Sequence, residues 1–145
     1  MTQSAFVIVR TQLKSIIDGI ATAAKIGAVY DYLPEEVTTT PTVAIFDDTS
    51  GEEYDSSTKN LVNINYTVRV MVEKTTALST QITKLLTLVD AILEELRRSS
   101  NSSLGGNVNY FMFESITPTA VGFVADRDLL FKDIKISTKM FKTVC

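Results

Sequence analysis

Leu61-Val-Asn-Ile-Asn-Tyr-Thr-Val-Arg-Val-Met-Val-Glu-Lys74 decides the fold. Val62, Ile64, Tyr66, Val68, Val70 and Val72 alternate with Asn63, Asn65, Thr67, Arg69, Met71 and Glu73. A strand places successive side chains on opposite faces, so this period of two predicts a strand with one core face and one mostly wet face. At about 3.3 Å per residue it reaches roughly 46 Å, more than a small core needs, and the excess is expected to project towards a neighbour.

Working outward, Ser4 to Ile20 reads as a helix with Ser4 as N-cap and Phe6, Val9, Leu13, Ile16, Ile17 and Ile20 at helical spacing. Ala28 to Leu33 reads as a short strand closed by Pro34, and Pro41 opens a second over Thr42 to Phe46. Asp47 to Asn60 is polar and acidic and has the composition of an exposed loop. Beyond the long strand, Ser79 to Arg98 is an amphipathic helix with Ile82, Leu85, Leu86, Leu88, Val89, Ile92, Leu93 and Leu96 on its apolar side. Ser99 to Gly106 is expected to break the chain. Val108 to Thr117 reads as a strand with Tyr110, Met112 and Ile116 on one side and Phe111 and Phe113 on the other. Thr119 to Asp128 reads as a loop, and Leu130 to Val144 as the last strand.

The predicted order is α-β-β-β-α-β-β, an α+β sandwich with a mainly antiparallel sheet packed against two helices. The 145 residues fit one domain spanning 1–145, large enough for a substantial core.

Composition removes chemistry. The chain has no histidine, and Cys145 is its one cysteine. That excludes His-based triads, HExxH zinc sites, imidazole switches and internal disulfides. No GxSxG, GxGxxG or Walker sequence is present. The segment DDTSGEEYD, Asp47 to Asp55, invites a metal reading, but setting Gly51 at the sixth position of an EF-hand loop puts Phe46 where the first carboxylate must stand. No catalytic residue, cofactor or metal is therefore expected, and the chain is not expected to be an enzyme.

Charge is uneven. Net charge is −3, against a general nucleic-acid binder. Asp31, Glu35, Glu36, Asp47, Asp48, Glu52, Glu53 and Asp55 occur with no Lys or Arg among them, a window of −8. From Arg127 onward, Arg127, Lys132, Lys135, Lys139 and Lys142 outweigh Asp128 and Asp133 by +3. From charge alone the two regions read either as solvated surfaces with no partner or as an interface in which Asp47, Asp48, Glu52 and Glu53 of one subunit face Lys132, Lys135 and Lys139 of another. The N-terminal apolar run, Ala5 to Val9, is too short for a signal-peptide core, and no stretch reaches the roughly 20 apolar residues of a bilayer span, so a cytoplasmic origin without membrane contact is expected.

Ile26-Gly-Ala-Val-Tyr30-Asp-Tyr32-Leu-Pro34, followed by Pro41-Thr-Val-Ala-Ile45, resembles the V-Y-D-Y-x-P…P-x-V-x-I pattern of tail terminator proteins from tailed bacteriophages. The motif residues are Tyr30, Tyr32, Pro34 and Pro41, and the element order agrees along nearly the whole chain. The resemblance implies a structural virion protein made in the host cytoplasm and built into the head-proximal end of the tail. Such proteins form a hexameric ring that caps the tail tube, ends its polymerisation and presents the surface to which head completion or neck proteins join. DNA passes through the lumen without specific binding. Other readings of the chain are a neck or tail-tube-like subunit, a small carboxylate- or metal-dependent enzyme at Asp47 to Asp55, and a stand-alone regulatory module.

Overall fold

The computed structural model describes residues 5–48, 50–54, 59–98, 110–124 and 127–143. In chain order the elements are α1 (Ala5–Ala21), β1 (Ala28–Tyr30), β2 (Thr42–Asp47), β3 (Gly51–Tyr54), β4 (Lys59–Glu73), α2 (Leu78–Leu96), β5 (Tyr110–Ile116), β6 (Ala120–Val124) and β7 (Arg127–Thr143). The α+β class and the mainly antiparallel sheet expected from sequence are present, with seven strands among the described residues instead of five. The expected N-cap Ser4, the break at Ser99 to Gly106, and Cys145 lie outside the described residues.

β4 and β7 form the spine. They run antiparallel in unbroken register from Lys59↔Thr143 to Glu73↔Leu129. The surplus length of β4 is thus matched by an equally long partner and does not project alone. β2 and then β1 extend the sheet beyond β4, β5 extends it beyond β7, and the order is β1-β2-β4-β7-β5. Among the described residues only β1 and β2 pair in parallel.

The two additional strands arise at the two stretches expected to be loops. β3 lies against the same edge of β4 as β2, so Gly51–Tyr54 continues along β4 the edge that β2 begins. Asp47 faces Tyr66 and Gly51 faces Asn63, four steps against three, so one extra residue is accommodated between β2 and β3. β6 repeats this on β7: Ile116 faces Ile134 and Ala120 faces Phe131, again four steps against three.

A side-chain hydroxyl repairs the ladder at each break. The Asp48 N–H donates to Asn65 O at 2.9 Å, while the Asn65 N–H donates to Ser50 Oγ at 3.0 Å. On the other side, the Thr117 N–H donates to Asp133 O at 2.9 Å and the Asp133 N–H to Thr117 Oγ1 at 2.9 Å. Backbone donors that would be left unpaired by the extra residue are satisfied in this way.

Both helices cover one face of the sheet. Val9, Leu13 and Ile17 of α1 and Leu85, Ile92 and Leu96 of α2 pack on Ile64, Val68, Val70, Ile134 and Ile136. The even-numbered positions of β4 therefore face the core, as the alternation predicts. β5 departs from prediction. A register shift between Phe113 and Ser115 moves Ile116 to the side of Phe111 and Phe113, opposite Ile134, while Met112 stays on the other face. Phe111 and Phe113 pack on the core, and Met112 is exposed.

α1 ends in a Schellman turn. The Ile26 N–H donates to Ala21 O at 2.8 Å and the Lys25 N–H to Thr22 O at 3.3 Å, with Lys25 at φ 59° where glycine is usual. Gly27 follows because its N–H donates to Pro41 O at 2.7 Å and a Cβ there would collide with Thr39. From β1, which stops at Tyr30 and not at Leu33, the chain crosses the open face to β2 and enters it through a cis Thr40–Pro41 bond. Val37 in this crossing is buried with Ala44, Met71 and Leu129, a small second core on the face away from the helices.

Candidate functional site

The open face of the sheet gathers the polar side chains that alternate with the core. At its centre the Arg69 guanidinium forms two hydrogen bonds to the Asp133 carboxylate, Nε to Oδ1 at 2.8 Å and Nη2 to Oδ2 at 3.0 Å. Arg69 and Asp133 are directly opposed in the β4–β7 register. The same guanidinium lies 4.4 Å from the ring centroid of Phe131 and 5.3 Å from that of Phe46. A planar cation held by a fork of acceptors and flanked by π faces is a rigid structural joint. Gly122 adjoins it: a Cβ there would stand 2.8 Å from the Phe131 ring.

Lys135 Nζ lies 3.0 Å from Asp48 Oδ2, which also accepts from Thr67 Oγ1 at 3.2 Å. Lys139 donates to Asn63 Oδ1. The acidic window and the basic strand therefore do meet through Asp48 and Lys135, but within one chain across β2, β4 and β7. Each of the two thus already has a partner at close range within its own chain. Asp47 ends β2 on the helix-side face, and the side chains of Glu52 and Glu53 lie outside the described residues. Arg127 is also engaged internally, with Nη1 donating to Val37 O at 2.9 Å and Nη2 3.7 Å from Glu73.

Lys132 differs. It faces Val70 on the helix side of the sheet and forms no ion pair among the described residues. Its strand neighbours on that face are Leu130 and Ile134, which stand opposite Val121 of β6 and Ile116 of β5. The edge of the sheet beside Lys132 thus carries Ile116, Val121 and Phe123, of which Phe123 is 74% exposed, more than any other large apolar side chain described.

Of the motif residues, Tyr30 ends β1 at the opposite edge, Tyr32 and Pro34 follow it in the crossing, and Pro41 immediately precedes β2. The Tyr30 and Tyr32 rings meet edge-on, 5.4 Å between centroids at 62°. Pro34 and Pro41 are buried, whereas Tyr32 and Leu33 are exposed. Tyr30, Tyr32, Leu33, Pro34, Glu35 and Glu36 line a depression of about 410 Å³. Asp31 beside it lies 3.8 Å from Arg10. Sequence reasoning found the motif side of the molecule and Lys132. It missed the Phe123 edge, because Thr119 to Asp128 reads as a loop, whereas Glu35 and Glu36 belong to the acidic window read from the sequence.

One buried titratable group stands out. Tyr66 Oη donates to Phe6 O at 2.6 Å, fastening α1 to β4. Burial pushes its phenol above the ordinary 10.0, with Asp47 adding to the rise and Arg10 opposing it. Among the described residues no three or more Asp, Glu or Cys gather as metal ligands, and no helix is long and apolar enough to cross a membrane.

These features define an α+β chain whose polar open face is internally paired and whose two sheet edges carry unlike exposed patches. No family model and no curated protein matches the chain. Its fold is similar to that of a solved chain from the virion of a native gene transfer agent (GTA) particle. The TM-score is 0.60 at 11% sequence identity, over 92% of this chain and 94% of that one.

Proposed function

We propose that the chain is a structural virion protein that acts by assembly and not by catalysis. In the finer reading it forms a ring on the head-proximal end of a tail tube, stops further addition of tube subunits and presents the surface to which a head completion or neck protein joins. A hexamer is the ring expected from the resemblance to tail terminators.

The observation that carries this reading is the end-to-end likeness in fold to a chain of a virion particle, 92% of one chain against 94% of the other. The Tyr30–Pro34 and Pro41 motif supports the terminator role within that class. The unlike patches on opposite sheet edges support a ring, since head-to-tail closure needs two different surfaces per subunit. The pairing of Asp48 with Lys135 and Thr67 weighs against a cation site at the acidic segment.

The test is polymerisation of the purified tube subunit with and without this chain, with tube lengths measured by electron microscopy. Capping predicts tubes that stop growing and carry extra density at one end. Tubes of unchanged length, with this chain incorporated along them, would instead identify a tube-like subunit.

A further inference from the structure

The tail-capping reading requires contact between copies but does not say which surfaces meet. The two sheet edges supply an answer. β1 closes one end of the order β1-β2-β4-β7-β5, and β5 with β6 closes the other, four strand spacings or about 19 Å away. On the β6 edge, Phe123 and Val121 are 74% and 51% exposed, with Ile116 also exposed. Register puts all three on the helix side of the sheet, with Lys132 between Leu130 and Ile134 on that side. Exposed Leu86 of α2 adds to this apolar surface: Arg97, about three turns further along the same flank, has its guanidinium 5.4 Å from the Phe113 ring of β5, so that flank looks towards this edge.

The β1 edge has the inverse form. It is concave, the depression of about 410 Å³ walled by Tyr30, Tyr32, Leu33 and Pro34. Its rim is acidic, with Glu35 and Glu36 exposed and in no ion pair among the described residues. A protruding aromatic beside an uncommitted lysine at one edge thus matches an aromatic- and proline-walled hollow beside uncommitted carboxylates at the other.

We infer that a second copy of this chain is the occupant: Phe123 of one subunit seats in the Tyr30–Pro34 hollow of the next, and Lys132 faces that subunit's Glu35 and Glu36. The contact is heterologous, so an open chain of subunits keeps one free knob at one end and one free hollow at the other until the ring closes. It rests on the ring-forming part of the proposed function, and it replaces the open-face lysines Lys135 and Lys139 with Lys132 as the charge that selects the partner. Buried aromatic anchors with a charged rim are the usual form of an energetic centre in such contacts.

The test uses the full chain with Cys145→Ser, so that introduced cysteines are the only thiols. One preparation carries Asp128→Cys, at the exposed position opposite Phe123, and a second, size-tagged preparation carries Glu36→Cys at the rim of the hollow. Both leave Phe123 and the tyrosines in place. Treating the mixture with a bis-maleimide of flexible hexyl arm should give the mixed 36–128 dimer, and a chain carrying both cysteines should give a ladder ending in a closed species. Adding Phe123→Glu to the Asp128→Cys chain should lower the mixed product at least about tenfold, with the far-ultraviolet circular dichroism unchanged. Absence of the mixed product, predominance of 128–128 or 36–36 dimers, or persistence of the mixed product with Phe123→Glu overturns the docking. Tube capping is scored separately on chains without introduced cysteines. Capping without the 36–128 product rejects this docking and keeps the terminator role, whereas the 36–128 product without capping keeps the docking and rejects that role.

Discussion

Arg69 and Asp133 show how one opposed pair sets the character of a sheet face. Their two hydrogen bonds are partly buried and flanked by Phe46 and Phe131, so removing one partner leaves the other charge poorly solvated. Asp133→Ala is expected to lower the unfolding free energy by about 2–3 kcal/mol, read from urea denaturation. Lys135→Ala, at a more exposed pair, should cost under about 1 kcal/mol. Equal losses from the two variants would contradict this account of the joint. Tyr66 makes a second residue-scale prediction. A phenol whose ionisation is raised on folding holds its proton in the native state after the unfolded chain has lost it. Its contribution is therefore fully present below pH 10.0, the ordinary value, and is lost as pH climbs through the higher native value. Unfolding midpoints measured from pH 8 to above pH 10 should fall at the alkaline end, and Tyr66→Phe should flatten that fall.

At the scale of elements, the two hydroxyl-repaired breaks are what separate the structure from the sequence pattern. Ser50→Ala and Thr117→Ala should each cost about 1–2 kcal/mol, because each leaves a ladder N–H without its acceptor. Amide hydrogen exchange should quicken at Asn65 in the first variant and at Asp133 in the second. Exchange unchanged at both amides would remove the role assigned to the hydroxyls. These breaks also explain which elements were legible. β4, α1, α2 and the bulk of β7 follow from periodicity because one face of each is largely apolar and buried. β3 and β6 are short and adjoin extra residues, and the Asp, Ser and Gly that accommodate the break between β2 and β3 are the same types that mark a loop. Strict alternation puts Ile116 on the side of Met112, but the register shift between Phe113 and Ser115 changes parity, and nothing in period-two alternation announces such a shift. Of the candidate surfaces, Tyr30, Tyr32, Pro34 and Pro41 and Lys132 were readable as motif and charge. That Asp48 and Lys135 satisfy one another inside the chain depends on long-range register, which composition does not carry.

For the whole molecule, the β4–β7 spine carries a helical core on one face and an internally paired polar layer on the other, with unlike exposed patches at the two edges of the sheet. A subunit so arranged is suited to joining its own kind edge to edge, the role proposed for it, and its fold is similar to that of a chain from a GTA virion. The central claim is that copies close into a ring. Negative-stain electron microscopy of the purified full-length protein, with its mass in solution taken from light scattering, tests it most directly. The account predicts discrete rings of one subunit number with an open centre, lost with Phe123→Glu. Open-ended stacked tubes, or a monomer at every concentration up to that of assembled tails, would contradict it.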